Sequence, residues 1–168
     1  MKKTFCFALL VTLSSVVLPS AAQTTSPEKV LQDVFTYINQ ARSKSCQCGN
    51  KRYPAVAPLA YNEKLTAAAQ QHANWMASVQ KLSHTQPKRD VANSWDRINR
   101  EGYRWSLVEE NIAAGQMTAR EVVDGWIKSP GHCKNLMDGS VKEIGIGLAY
   151  TTSGKYHYYW VTDFATPR

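Results

Sequence analysis

The stretch EIGIGLAYTTSGKYHYYWVTDF, residues 143–164, carries the clearest change of period in the chain. Ile144, Ile146, Leu148 and Tyr150 alternate, and so do Tyr156, Tyr158, Trp160, Thr162 and Phe164, on either side of Ser153-Gly154. Alternation puts one set of side chains on one face of an extended chain, so two strands joined by a turn are expected. The preceding sequence follows helical spacing instead. Ser26-Pro27 opens a helix in which Val30, Val34, Ile38 and Ala41 form one face down to Arg42. Asn62 caps a second, with Leu65, Ala69, His72, Met76 and Val79 in a stripe. A short helix is expected over Ser94–Arg100, stopping at Gly102. A capping box at Thr118-Ala119-Arg120-Glu121 opens another helix that turns Val122, Val123, Trp126 and Ile127 inward and ends at Ser129-Pro130-Gly131. A polar, cysteine-bearing loop follows the first helix, Pro54 and Pro58 keep residues 50–60 extended, and Lys81–Ser94 is the most loop-like interior stretch. Helices first and strands last predict an α+β layered domain rather than a βαβ repeat.

Residues 1–22 read as an export signal: Lys2 and Lys3, an apolar run from Phe5 to Leu18, then Ser20, Ala21 and Ala22 before Gln23. That run is too short to span a bilayer. Residues 23–168 are then one domain of ordinary size, a monomer that does not span the membrane, either secreted or held in the periplasm. Loss of the two signal lysines lowers the net charge of the chain from +7 to +5. This suits loose attraction to anionic envelope material, and the scattered Lys and Arg exclude a nucleic-acid stripe. Export also places Cys46, Cys48 and Cys133 where thiols oxidise. A bond between Cys46 and Cys48 would close a tiny strained ring, so one of the two is expected to pair with Cys133 and leave the other over.

The chemistry-bearing residues give a sparse pattern: no HExxH, GxSxG, paired CxxC or phosphate-cradling glycine loop occurs. His84, Glu110 and His132 lie in polar or element-end positions where functional side chains collect. His72 lies on the inward face of its helix and is expected to be a hydrogen-bonded core histidine.

Seven segments in order, PLAYNEKLTAAAQQHANWMA, LSHT, RINREGYRW, EENIAAG, VVDGWIKSPGHCKNLM, EIGIGLAY and YYWVTDFA, resemble the bacterial branch of the CAP superfamily, in a match that covers about residues 30–166. That group comprises the cysteine-rich secretory proteins, antigen 5 and pathogenesis-related 1 proteins, or SCP-like extracellular domains. The resemblance implies a three-layer α-β-α sandwich around a mostly antiparallel sheet, with a cleft presenting two histidines and two acids that can hold a divalent cation. His84 of LSHT matches the first histidine, Glu110 of EENIAAG the glutamate of GENIA, and His132 of SPGHCKNLM the second histidine. The family's WxxE becomes Trp126-Ile127-Lys128-Ser129, so the second acid is missing, and neither Glu109 nor Glu143 is taken as its replacement.

Two imidazoles and a carboxylate are ligands suited to Zn2+ or another divalent cation, with one position left to water. The resemblance also implies a Cys48–Cys133 disulfide with Cys46 free, and core or turn roles for Tyr103, Asn111, Gly115, Trp126 and Trp160. Its functional implication is a non-enzymatic binding module whose cleft takes a metal, a small molecule or a lipid. The alternative is a metal-dependent hydrolase of peptides or envelope material, with Glu110 as general base. A thiol protease is excluded, because His132 and Cys133 are neighbours in sequence and point in different directions.

Overall fold

The computed structural model describes residues 26–168, so the expected export signal lies outside the described residues. The element order is α1 (Pro27–Arg42), β1 (Cys46–Cys48), β2 (Lys51–Tyr53), β3 (Ala60–Tyr61), α2 (Glu63–Val79), a 3-10 turn (Arg89–Val91), α3 (Ser94–Arg100), β4 (Trp105–Ala114), α4 (Ala119–Lys128), α5 (Pro130–Leu136), β5 (Glu143–Tyr150) and β6 (Tyr158–Pro167). The helix starts follow the sequence. Ser26 accepts from Lys29 N, Asn62 from Lys64 and Leu65 N, and Thr118 exchanges capping-box bonds with Glu121.

The main sheet runs β3-β5-β6-β4, parallel only between β3 and β5. Helices cover both faces, making the expected α-β-α sandwich. On one face α2 and α3 pack against Ile112, Tyr159, Val161 and Ala165. On the other, α1, α4 and α5 enclose Ala113, Ile144, Ile146, Trp160 and Phe164. Trp126 and Trp160 are fully buried, and each indole N–H donates to a backbone carbonyl, of Ile112 and Gln116 respectively.

Two glycines let α2 lie directly on β5. A Cβ on Gly145 would come within 2.0 Å of the Leu65 carbonyl carbon, and one on Gly147 within 2.5 Å of that of Ala69. The glycines fill the alternate positions between Ile144, Ile146 and Leu148, so β5 presents side chains to one layer and bare backbone to the other. Strand β3 pairs only with Glu143 and Ile144, and α2 supplies polar partners to the β5 edge beyond it. Gln70 accepts from Leu148 N at 3.1 Å and donates to Leu148 O at 2.8 Å, and Thr66 Oγ1 accepts from Ile146 N. Side chains thus occupy hydrogen-bonding positions where a foreign strand would otherwise add.

Three local expectations change, and one strand is new. The cysteine-bearing loop contains the antiparallel hairpin β1–β2, turning at Gly49-Asn50. Ser129-Pro130-Gly131 ends α4 and also begins α5, with Ser129 at both caps and Pro130 at the first helical position. Residues 105–114 form a ten-residue strand. Asn111 therefore lies within β4 rather than in a turn, while Gly115 just after it has φ +97°.

Candidate functional site

Glu110 lies in the middle of β4, paired in register with Asp163 of β6, and its side chain is 5% exposed. Burial pushes its carboxyl pKa up. The hydrogen bond donated by His84 Nδ1 to Oε1 at 2.7 Å and the charge of Arg97 outweigh that effect and hold it below the usual carboxylate value. Arg97, fully buried on α3, pairs with Oε2. The same guanidinium donates to the carbonyls of His84, Val91 and Ala92. One arginine therefore neutralises the acid and anchors the backbone that carries its imidazole partner.

The His84 segment has a second post. His72 on α2 donates from Nε2 to the carbonyl of Ser83 at 2.8 Å, and Gln86 donates to its Nδ1 at 2.9 Å. Both contacts are satisfied by a neutral ring, and burial lowers the His72 pKa to about 4. It is the core histidine expected from its helical position, and it grips the chain on both sides of His84. With the loop so held, the His84 side chain remains 55% exposed.

His132 comes from the first turn of α5, half-buried, and lines a cavity of about 270 Å³ with Leu82, Ile112 and Trp126. Burial, and then the charge of nearby His84, lower its pKa. Asn111 Nδ2 donates to the His132 carbonyl, and Asn135 donates to the Glu110 carbonyl and to Asn111 Oδ1. A Cys48–Cys133 disulfide, with Cα atoms 5.4 Å apart, ties α5 to β1. The structure thus places His84 and Glu110 in direct contact and His132 within electrostatic reach. Among the described residues, the ligand atoms of all three do not lie within 4.8 Å of one another.

Two ionisable residues at this site escaped the reading of the sequence. Arg97 lay unassigned in RINREG. Asp163, fully buried opposite Glu110, has a carboxyl pushed well above its ordinary value by burial and by the charge of Glu110, and neither oxygen has a hydrogen-bond partner. The opposite directions of the two shifts, Glu110 down and Asp163 up, limit like-charge repulsion between them. Its signal was available in phase: Asp163 falls in the same alternating set as buried Tyr159, Val161 and Ala165. Glu143 instead accepts from Tyr103 and Asn62, away from the histidines, and Glu109 is paired in register with Phe164 on the opposite side of β4 from Glu110.

A larger cavity than that beside His132 lies across the sheet. It has a volume of about 540 Å³ and is walled by Val30, Tyr37, Leu148, Tyr150, Tyr158 and Trp160, with Asp33 and Arg120 among its polar neighbours. The Arg120 guanidinium lies 3.6 Å from the Tyr37 ring centroid. Met117 and Tyr150, 68% and 60% exposed, stand at this groove.

Residues 35–164 match the model of the cysteine-rich secretory protein family, CAP. The chain is 32% identical over 107 residues to the uncharacterised protein YkwD of Bacillus subtilis (strain 168), covering 64% of this chain and 39% of that relative's length. Its fold is similar to that of an outer surface protein from Borrelia burgdorferi, with a TM-score of 0.68 and 18% identity over 85% of this chain and 96% of that one. It is also similar to an extracellular SCP-domain protein from Bacillus anthracis, with a TM-score of 0.65 and 24% identity over 86% of this chain and 45% of that one. No helix among the described residues is long and apolar enough to cross a membrane.

Proposed function

The chain belongs to the cysteine-rich secretory protein (CAP) family, and from that premise we propose that it is a non-enzymatic binding protein of the cell envelope or exterior whose ligand is a small lipid-like molecule. The observation that carries this reading is the groove bounded by Tyr37, Leu148, Tyr150, Tyr158 and Trp160. Its volume lies within the roughly 300–1,000 Å³ range of small-molecule sites, and its walls are mainly rings and aliphatic chains. Arg120 offers a charged partner for the polar end of such a ligand.

The test is titration of a fluorescent long-chain fatty acid into wild type, Met117→Glu and His84→Ala proteins. Met117 is exposed, so its replacement leaves the core intact while placing a negative charge at the groove. Affinity should fall about tenfold, equivalent to about 1.4 kcal/mol, and remain unchanged in His84→Ala. Equal affinities for wild type and Met117→Glu would remove the groove as the site.

A second reading, a divalent-cation site such as one for zinc, is favoured by the donor chemistry of the cleft. His84 donates a hydrogen bond from Nδ1 to Glu110, which directs Nε2 as the ring nitrogen that could face a cation, while burial keeps His132 toward its neutral form. The cation would be held by these two imidazoles, with Glu110 orienting His84 because both its oxygens are already engaged. That engagement also weighs against Glu110 as the free base a hydrolase would need. Zinc titration of wild type, His84→Ala and His132→Ala should show weakened binding in both variants. Three equal affinities would dismiss this reading.

A further inference from the structure

Beyond the cleft and the groove, a third cluster joins Cys46, Cys48 and Cys133, whose sulfurs all lie within 4.8 Å of one another. Cys46 and Cys48 are two residues apart on β1, so strand alternation turns both toward the same side. Cys133 faces them from α5. It is bonded to Cys48, while the Cys46 Sγ lies 3.6 Å from the Cys133 Sγ. Cys46 is half-buried, whereas Cys48 and Cys133 are buried.

We propose that these three residues form an intramolecular thiol–disulfide exchange site. Cys46 loses its proton to solvent, and its thiolate attacks Cys133 Sγ. The Cys46–Cys133 bond forms as the Cys48–Cys133 bond breaks, and Cys48 leaves as a thiolate that takes up a proton. One disulfide and one thiol remain, so no oxidant or reductant is consumed. The observed approach is from the side of the existing bond, and displacement requires Cys46 to swing toward the line of that bond. The hairpin that carries it has only three residues in each strand, a length with little independent stability.

Burial of the Cys48 sulfur among apolar side chains favours the Cys48–Cys133 form, making Cys46–Cys133 the minor isomer. Exchange would move the attachment of α5 by two residues along β1. Because His132 precedes Cys133 and Gly49 packs on Pro130 of the same helix, this shift would act on the segment presenting His132. The proposal stands apart from either ligand reading.

The experiment incubates oxidised full-length mature protein at mildly alkaline pH, quenches it in acid at intervals, and locates the bond by fragmentation mass spectrometry under non-reducing conditions. A minor Cys46–Cys133 species should appear with time in wild type and be absent from Cys46→Ser. Observation of Cys48–Cys133 alone at every time would overturn the proposal. In Cys48→Ser refolded with a glutathione redox pair, free thiols should fall from two to none as Cys46 bonds Cys133. A folded Cys48→Ser protein retaining both thiols would overturn it equally. If that variant does not fold, the wild-type time course decides the matter.

Discussion

The two faces of the sheet solve opposite problems. The face under α2 and α3 buries polar groups: the Arg97–Glu110 ion pair and Asp163 sit among apolar side chains, with His72 and His84 completing the network. The face under α1 and α4 leaves apolar surface open, with Tyr150 and Met117 beside unfilled space. The first arrangement is held in place before any ligand arrives. The second retains unburied apolar area that an incoming molecule can cover. Pre-organisation and unspent hydrophobic surface therefore coexist on opposite sides of β5 and β6.

The strongest way to break this contrast is Arg97→Met. It leaves Glu110 buried without its main cation, and removing one member of a buried ion pair costs about 3–5 kcal/mol. Urea unfolding at neutral pH should show a loss in that range. A loss below about 1 kcal/mol would mean that the buried network does not hold this face.

Acid should act next. The His72 pKa falls from 6.5 to about 4 on folding, so between these values the unfolded chain binds the proton that the native one refuses. Stability is consequently lost as pH falls through that window, by about 3 kcal/mol at one pKa unit per 1.36 kcal/mol. A His72→Gln variant should show a flatter stability–pH curve there. An unchanged slope would separate His72 from the acid response.

Gly147→Ala tests the close approach of α2 to β5, because its Cβ has no room against Ala69. Overpacking should destabilise by about 1–3 kcal/mol, readable as a lowered denaturation midpoint. Tyr150→Ser, on the open side, should change stability by less than about 0.5 kcal/mol while weakening fatty-acid binding. A large stability loss would recast the groove as part of the core.

Much of this architecture was legible because local chemistry matched it. Ser26, Asn62 and Thr118 mark helix starts, and the alternation of β5 and β6 marks strands. Strand β4 was obscured because Glu110 and Ile112 are buried on one face while Asn111 and Ala113 are buried on the other. A strand covered on both sides has no polar alternation to read. His84, Glu110 and His132 were singled out mainly through their resemblance to known motifs, since the contact of His84 with Glu110 joins segments far apart in sequence. Arg97 carried no signal in RINREG, because its burial depends on α3 packing it against Glu110. Helix α5 was hidden because Ser129-Pro130-Gly131 can punctuate a chain by ending one helix, and here Ser129 also starts another.

The bare side of β5 has a mechanical consequence. At Gly145 and Gly147 the main chain of α2 rests on the main chain of the strand, without a compressible layer of side chains between them. A change in the tilt of α2 would therefore bear on the strand backbone directly, at two positions that lie just before Leu148 and Tyr150 of the groove wall.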